Sequence, residues 1–216
     1  MSLSKAVDRI NLNGLLLVFP INNRPEPKSL WSEFYPRTKM RWEWDSGGDH
    51  KVSDMWSLMK KLSTTKQVVY SKWYQGRATY FSLELFQCLL RTMHEVKPEQ
   101  NLSRPARELL DTLESDSPLS TKQLKKLTEL QGKDNEPTYN KAMKQLFQTL
   151  QIVGFGEVDD GAFPSLAVGA TQLLYEDLWL RSKSMNLKTA QKKIDELMPI
   201  GTLTRKHLDK IILQWS

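Results

Sequence analysis

Pro137-Thr138-Tyr139-Asn140-Lys141-Ala142-Met143-Lys144-Gln145-Leu146-Phe147-Gln148-Thr149-Leu150 is the stretch whose pattern decides the fold. Its apolar members, Tyr139, Ala142, Met143, Leu146, Phe147 and Leu150, step by three, one, three, one and three residues. On a helix of 3.6 residues per turn that spacing draws one continuous stripe. Pro137 occupies the first turn, where its missing N–H costs no hydrogen bond. Asn140, Lys141, Lys144, Gln145 and Gln148 fall on the opposite face, rich in donors and without an acid. After this helix, residues 151–158 read as a strand, Asp159-Asp160-Gly161 as a tight turn and residues 162–168 as a returning strand.

Upstream, Ser120-Thr121-Lys122-Gln123 matches a capping box, in which the Ser hydroxyl and the Gln side chain satisfy two free backbone donors. It predicts a helix to about residue 130 that buries Leu124, Leu127 and Leu130. Ser103-Arg104-Pro105 opens an earlier helix with Ala106, Leu109, Leu110 and Leu113 on one face, and Ser117-Pro118-Leu119 is the turn between the two. Three helices followed by a two-stranded ribbon is the winged-helix order. Two helices cover the stripe of the third and leave its other face open, where Lys can meet phosphates and Asn or Gln can meet base edges. Solvation alone produces a polar face too, and winged helices also serve as protein-binding modules, so both alternatives stand beside nucleic-acid contact.

Further out, residues 4–12 predict a short helix, and residues 15–19 a buried strand or a further helical turn. Residues 54–62 predict a helix with Met55, Trp56, Leu58, Met59 and Leu62 partly inward. Residues 68–73 and 77–81 predict a small hairpin, and Ser82 caps a helix to about residue 93. The tail predicts two or three helices, one marked by Leu187, Ala190, Ile194 and Leu197, the last by Leu203, Leu208, Ile211, Ile212 and Trp215. Lys188, Lys192 and Lys193 form an exposed face there that reads as solubilising. The expected class is mainly α with small β-hairpins (α+β), built from winged-helix units. The polar stretch Lys97-Pro98-Glu99-Gln100-Asn101 predicts a boundary. It divides a Trp-rich, winged-helix-like domain (1–97) from a winged-helix domain (103–170), with a helical extension (171–216) packed on both.

The 31 basic against 25 acidic side chains give a net charge of +6, concentrated in residues 1–100, which hold 15 basic and 10 acidic. That balance permits a polyanionic partner without requiring one. The longest purely apolar run, Leu15–Pro20, is about a third of a membrane span. It follows no basic n-region with a small-residue cleavage site, so neither a span nor a signal peptide is expected. A single Cys88 cannot form an internal disulfide, so the expected compartment is the cytoplasm. His50, His94 and His207 lie too far apart for metal-site spacing, and neither a phosphate-cradling Gly-rich loop nor a Gly-x-Ser-x-Gly elbow occurs. No metal and no cofactor are expected. Arg41-Trp42-Glu43-Trp44-Asp45 is the one segment with catalytic potential. Glu43 or Asp45 could act as a base beside two indoles that stack on a nucleobase. The alternation of Trp and acid equally describes a half-buried strand.

Two stretches carry a family resemblance: Leu12-Asn13-Gly14-Leu15-Leu16 with the Trp-rich segments through Trp56 and Tyr70-Ser71-Lys72, and the later unit with Pro118-Leu119-Ser120-Thr121 and Leu146-Phe147-Gln148. In these the chain resembles the AlkZ/YcaQ-like winged-helix DNA glycosylase superfamily, most closely the short AlkZ-related proteins. The resemblance implies winged-helix units around a DNA channel. It also implies a Gln-x-Gln or Gln-x-Asp pair after a Leu-Gly near the N-terminus, which positions water at the sugar of a modified nucleotide. With Gly14 set on that Gly, the pair falls on Leu17 and Phe19, and neither side chain can orient or deprotonate water. The resulting expectation is a monomer that binds DNA without glycosylase activity, through Asn140, Lys141, Lys144, Gln145, Gln148 and Arg41. The alternatives are a divergent DNA glycosylase using Glu43 or Asp45 and a protein-interaction scaffold presenting the tryptophans.

Overall fold

The computed structural model describes residues 2–41, 50–158 and 165–216. Helix α1 (Leu3–Asn13), capped by the Ser2 hydroxyl, buries Ala6, Val7 and Ile10 and runs into strand β1 (Leu15–Leu17), which settles the strand-or-helix alternative. Helix α2 (Leu30–Phe34) follows the proline-bearing loop, and α3 (His50–Leu62) begins earlier than the sequence pattern indicated. Strands β2 (Val68–Ser71) and β3 (Thr79–Ser82) form the expected antiparallel pair, with Tyr70 opposite Tyr80. Helix α4 (Leu83–Val96) starts on Ser82, whose hydroxyl accepts from the Leu85 amide.

The second half places α5 (Arg104–Ser115), β4 (Leu119–Ser120), α6 (Thr121–Leu127) and α7 (Glu136–Gln148) in order. The ribbon of β5 (Ile152–Val158) and β6 (Ser165–Ala170) comes next. Both bonds of the capping box form between Ser120 and Gln123. The helix it starts is shorter than expected: Leu127 is 58% exposed rather than buried, because α6 ends there and carries only Leu124 inward. The tip of the ribbon, Asp159 to Gly161, lies outside the described residues. Helices α8 (Thr171–Leu174), α9 (Glu176–Ser184), α10 (Leu187–Leu197) and α11 (Leu203–Trp215) complete the chain. Three helices with a ribbon behind them, and a two-residue strand before the second helix pairing on that ribbon, fit the winged-helix arrangement.

Among the described residues the strands form one six-stranded sheet, ordered β1-β3-β2-β5-β6-β4. It crosses from the first half of the chain to the second at a single register pair, Tyr70 opposite Gly154. The short strands β1 to β3 show no polar face because both faces are covered. Leu15, Leu17, Val69 and Phe81 join the larger apolar cluster, whereas Leu16, Val68, Tyr70 and Tyr80 join a smaller one with Ala6, Ile10, Trp31, Met55 and Leu62. A Cβ on Gly154 would come within 2.6 Å of Tyr70 Cε1, so glycine is what lets the ring lie over β5 at the crossing. Just beyond, the β5–β6 register shifts around Gly156 (φ +77°), the geometry of a β-bulge. The larger cluster gathers Leu85, Leu89, Leu109, Leu146, Val168, Ile194 and Ile211 into a core shared by α4, α5, α7, α10 and α11. Cys88 is buried in it, and burial pushes the thiol up to about 11.

Candidate nucleic-acid interface

Helix α7 is held by its stripe: Tyr139, Ala142, Met143, Leu146 and Phe147 are all buried, with Leu150 just beyond. Its outer face divides into two environments. At the N-terminal end, Lys125 Nζ lies 2.5 Å from Glu136 Oε2 and 4.5 Å from the centre of the Tyr139 ring, and Asn140 Nδ2 donates to Glu136 Oε1 at 3.4 Å. The hydrogen bond from Lys125 holds the Glu136 carboxyl below its ordinary range, so an acid does sit one turn before Asn140. Lys141 and Lys144 are exposed, and Gln145 and Gln148 partly so. Gln145 Oε1 accepts from both the Ser103 hydroxyl (2.6 Å) and the Ser103 amide (3.3 Å), which ties α7 to the start of α5.

The C-terminal end of α7 faces a cleft that sequence reasoning did not anticipate. A concavity of about 430 Å³ lies between α7, α11 and the turn after β2, lined by Lys144, Gln148, Tyr74, Gln75 and, on α11, Leu203, Lys206, His207, Lys210, Ile211 and Gln214. Among the described residues no acid lines it. Helix α11 docks through Leu208, Ile211 and Trp215, and through the His207 ring, which stands edge-on to Trp73 at 4.7 Å and lies 4.9 Å from Tyr74. His207 Nε2 is 3.0 Å from the Trp73 carbonyl oxygen, and since a carbonyl only accepts, Nε2 carries the proton. Burial lowers the pKa of His207. The Lys210 and Lys144 ammoniums lower it further, against the hydrogen bond to Trp73.

Lys206 and Lys210 lie one helical turn apart on the same side of α11, and Lys144 joins them from the opposite wall. Among the described residues none of the three makes an ion pair. Their neighbours do: Arg205 pairs with Asp195 and Asp209, and Lys193, expected to be merely solubilising, binds Glu84 and Glu196. Uncompensated like charge gathered in one place costs stability. The only sequence signal for it was Lys206 and Lys210 at helical spacing, and periodicity does not say which helix they would face.

The remaining candidates lie elsewhere. Arg41 is exposed and does not line the cleft, and Glu43 and Asp45 lie outside the described residues, as do Trp42 and Trp44. Leu17 is fully buried in the larger cluster. Phe19 packs against Trp31 at 6.1 Å and borders a separate, mainly apolar concavity of about 300 Å³ with Trp56, Tyr70 and Glu157, the last 3.9 Å from Lys60. Trp56, one of the residues expected to be partly inward, is 42% exposed at that rim, while α3 turns Met55, Leu58, Met59 and Leu62 to the core. Trp31 and Trp73 are buried, so the described tryptophans of the first third do not form a shared exposed patch. Among the described residues, no group of three or more His, Cys, Asp or Glu side chains could hold a metal ion. No described helix is long and apolar enough to cross a membrane.

The fold and the cleft define a mainly helical α+β protein with a small antiparallel sheet and a lysine-lined groove. The family described as AlkZ related matches residues 1–212, and the chain belongs to that family. No curated protein and no solved structure matches it.

Proposed function

We propose that this AlkZ-related protein binds DNA through the outer face of α7 and the cleft that α7 forms with α11, and that it does so without glycosylase chemistry. One observation carries the reading. Lys144, Lys206 and Lys210 converge on a concavity with no acid among its described lining residues and no ion pair to neutralise them, an arrangement that a polyanion relieves. Asn140, Lys141, Gln145 and Gln148 extend the contact along α7, and Arg41 adds charge from the N-terminal half. The non-catalytic part rests on Leu17 and Phe19, which stand where the family resemblance places the water-positioning pair. In this reading residues 1–97 and 103–170 are two winged-helix-like units joined along one sheet, and 171–216 supplies the far wall of the cleft.

The test is fluorescence anisotropy with a labelled duplex across a salt series. Affinity is expected to fall steeply as salt rises. Lys141→Ala with Lys144→Ala is expected to reduce the slope of log K against log salt by roughly two, about one for each phosphate no longer neutralised. Absence of binding at low salt, with the protein folded, overturns the reading. Incubation with alkylated or crosslinked duplex is expected to leave no abasic sites. Abasic sites that disappear with Glu43→Gln or Asp45→Asn would establish a divergent glycosylase instead.

A further inference from the structure

We infer that the cleft between α7 and α11 is a seat for a terminal phosphomonoester, so that the protein favours DNA at a phosphorylated end or nick over uninterrupted duplex. The inference rests on the DNA-binding reading and sharpens the ligand of the same site. A duplex offers its charges as a long row of singly charged phosphodiesters, and the matching surface is an extended basic stripe. Here the lysines are gathered. Two come from one turn of α11 and one from the facing helix, all on a concavity of about 430 Å³. That volume lies in the range of about 300–1,000 Å³ typical of small-ligand sites, so it suits one nucleotide terminus rather than a length of double helix.

The charge points the same way. A phosphodiester brings one negative charge and two unesterified oxygens, whereas a phosphomonoester brings about −1.5 to −2 near neutral pH and three strong acceptor oxygens. Three ammoniums with no carboxylate among them are neutralised more completely by the second, and each ammonium finds an oxygen of its own. His207 forms part of the lining with its Nε2 proton committed to the Trp73 carbonyl, and Gln75, Gln148 and Gln214 provide uncharged donors and acceptors for the adjoining sugar and base.

Hairpin DNAs of one sequence, ended by a 5′-hydroxyl, a 5′-phosphate, a 3′-phosphate or a methyl-capped 5′-phosphate, separate the possibilities by anisotropy with the full chain. At least one free phosphate end is expected to bind roughly tenfold tighter than the hydroxyl and methyl-capped ends, about the ratio that one charge-assisted hydrogen bond supplies. Comparing the 5′ and 3′ arms identifies which terminus is seated. Lys206→Ala with Lys210→Ala should erase the preference with the circular dichroism spectrum unchanged, while Lys188→Ala, exposed on α10 and not lining the cleft, should keep it. If that double variant loses its fold, Lys206→Gln with Lys210→Gln is expected to give the same erasure. Equal affinity for all four ends overturns the inference and leaves the DNA-binding reading intact, as does a preference that survives the cleft variants. No binding to any hairpin at low salt overturns both.

Discussion

His94 shows how one buried ring makes the fold sensitive to acid. Its Nε2 lies 2.9 Å from the Ser182 hydroxyl and its ring stands edge-on to Trp179 at 4.7 Å, which joins α4 to α9. Burial, reinforced by the Lys183 and Arg91 charges and opposed by Glu95, pushes its pKa down to about 4 from an ordinary 6.5. Above pH 6.5 the ring is neutral in both folded and unfolded chains. Between 6.5 and about 4 the unfolded chain takes up a proton that the folded chain refuses, so stability falls as pH falls through this window. His207 is shifted the same way. Urea midpoints are therefore expected to decline from pH 6.5 to 5, above the range where carboxylates titrate, and His94→Gln should make the decline shallower. An identical pH dependence in that variant would show that the ring is not held neutral.

The contact between β2 and β5 illustrates how elements impose requirements that no local pattern records. Because the Tyr70 ring covers Gly154 and is itself packed edge-on against Tyr80 at 5.3 Å, a methyl group at residue 154 must displace an aromatic side chain fixed from the other side. Gly154→Ala is expected to destabilise the protein by about 1–3 kcal/mol, lowering Tm by about 3–10 °C. An unchanged Tm would mean that the two strands do not meet there. The helices were legible beforehand because amphipathic spacing and capping residues are local: the α7 stripe, the Ser120–Gln123 box and the Ser82 cap all appear in the structure. The sheet was not. Strands of two to four residues covered on both faces show no alternation, so Leu119 and Ser120 read as turn and cap while they also pair with Val168 and Ala167. The candidate interface was half legible. The face of α7 followed from its periodicity, but its partner α11, some sixty residues on, could be named only once packing placed it opposite Lys144.

Across the whole molecule, the two halves and the tail are interlocked rather than strung together. The sheet passes from one half to the other, and the larger apolar cluster runs from Leu15 to Trp215. Among the described residues, hydrogen bonds fasten the tail to the N-terminal half at four places: Tyr175 to the Val68 carbonyl, His207 to that of Trp73, Arg91 to that of Met185, and His94 to the Ser182 hydroxyl. Denaturant unfolding is expected to follow a single transition by both tryptophan fluorescence and circular dichroism. Two separated transitions would show that residues 1–97 and 103–170 fold independently. The same interlocked core has a practical consequence through Cys88. The thiolate is the form that reacts, and this thiol is both sheltered and pushed up to about 11. The folded chain is thus expected to be silent toward maleimide dyes at neutral pH, which mass spectrometry after labelling checks. A cysteine engineered at an exposed position, as in Lys141→Cys, would be the sole attachment point for a fluorophore and would report on DNA arriving at the outer face of α7 without first removing the native thiol.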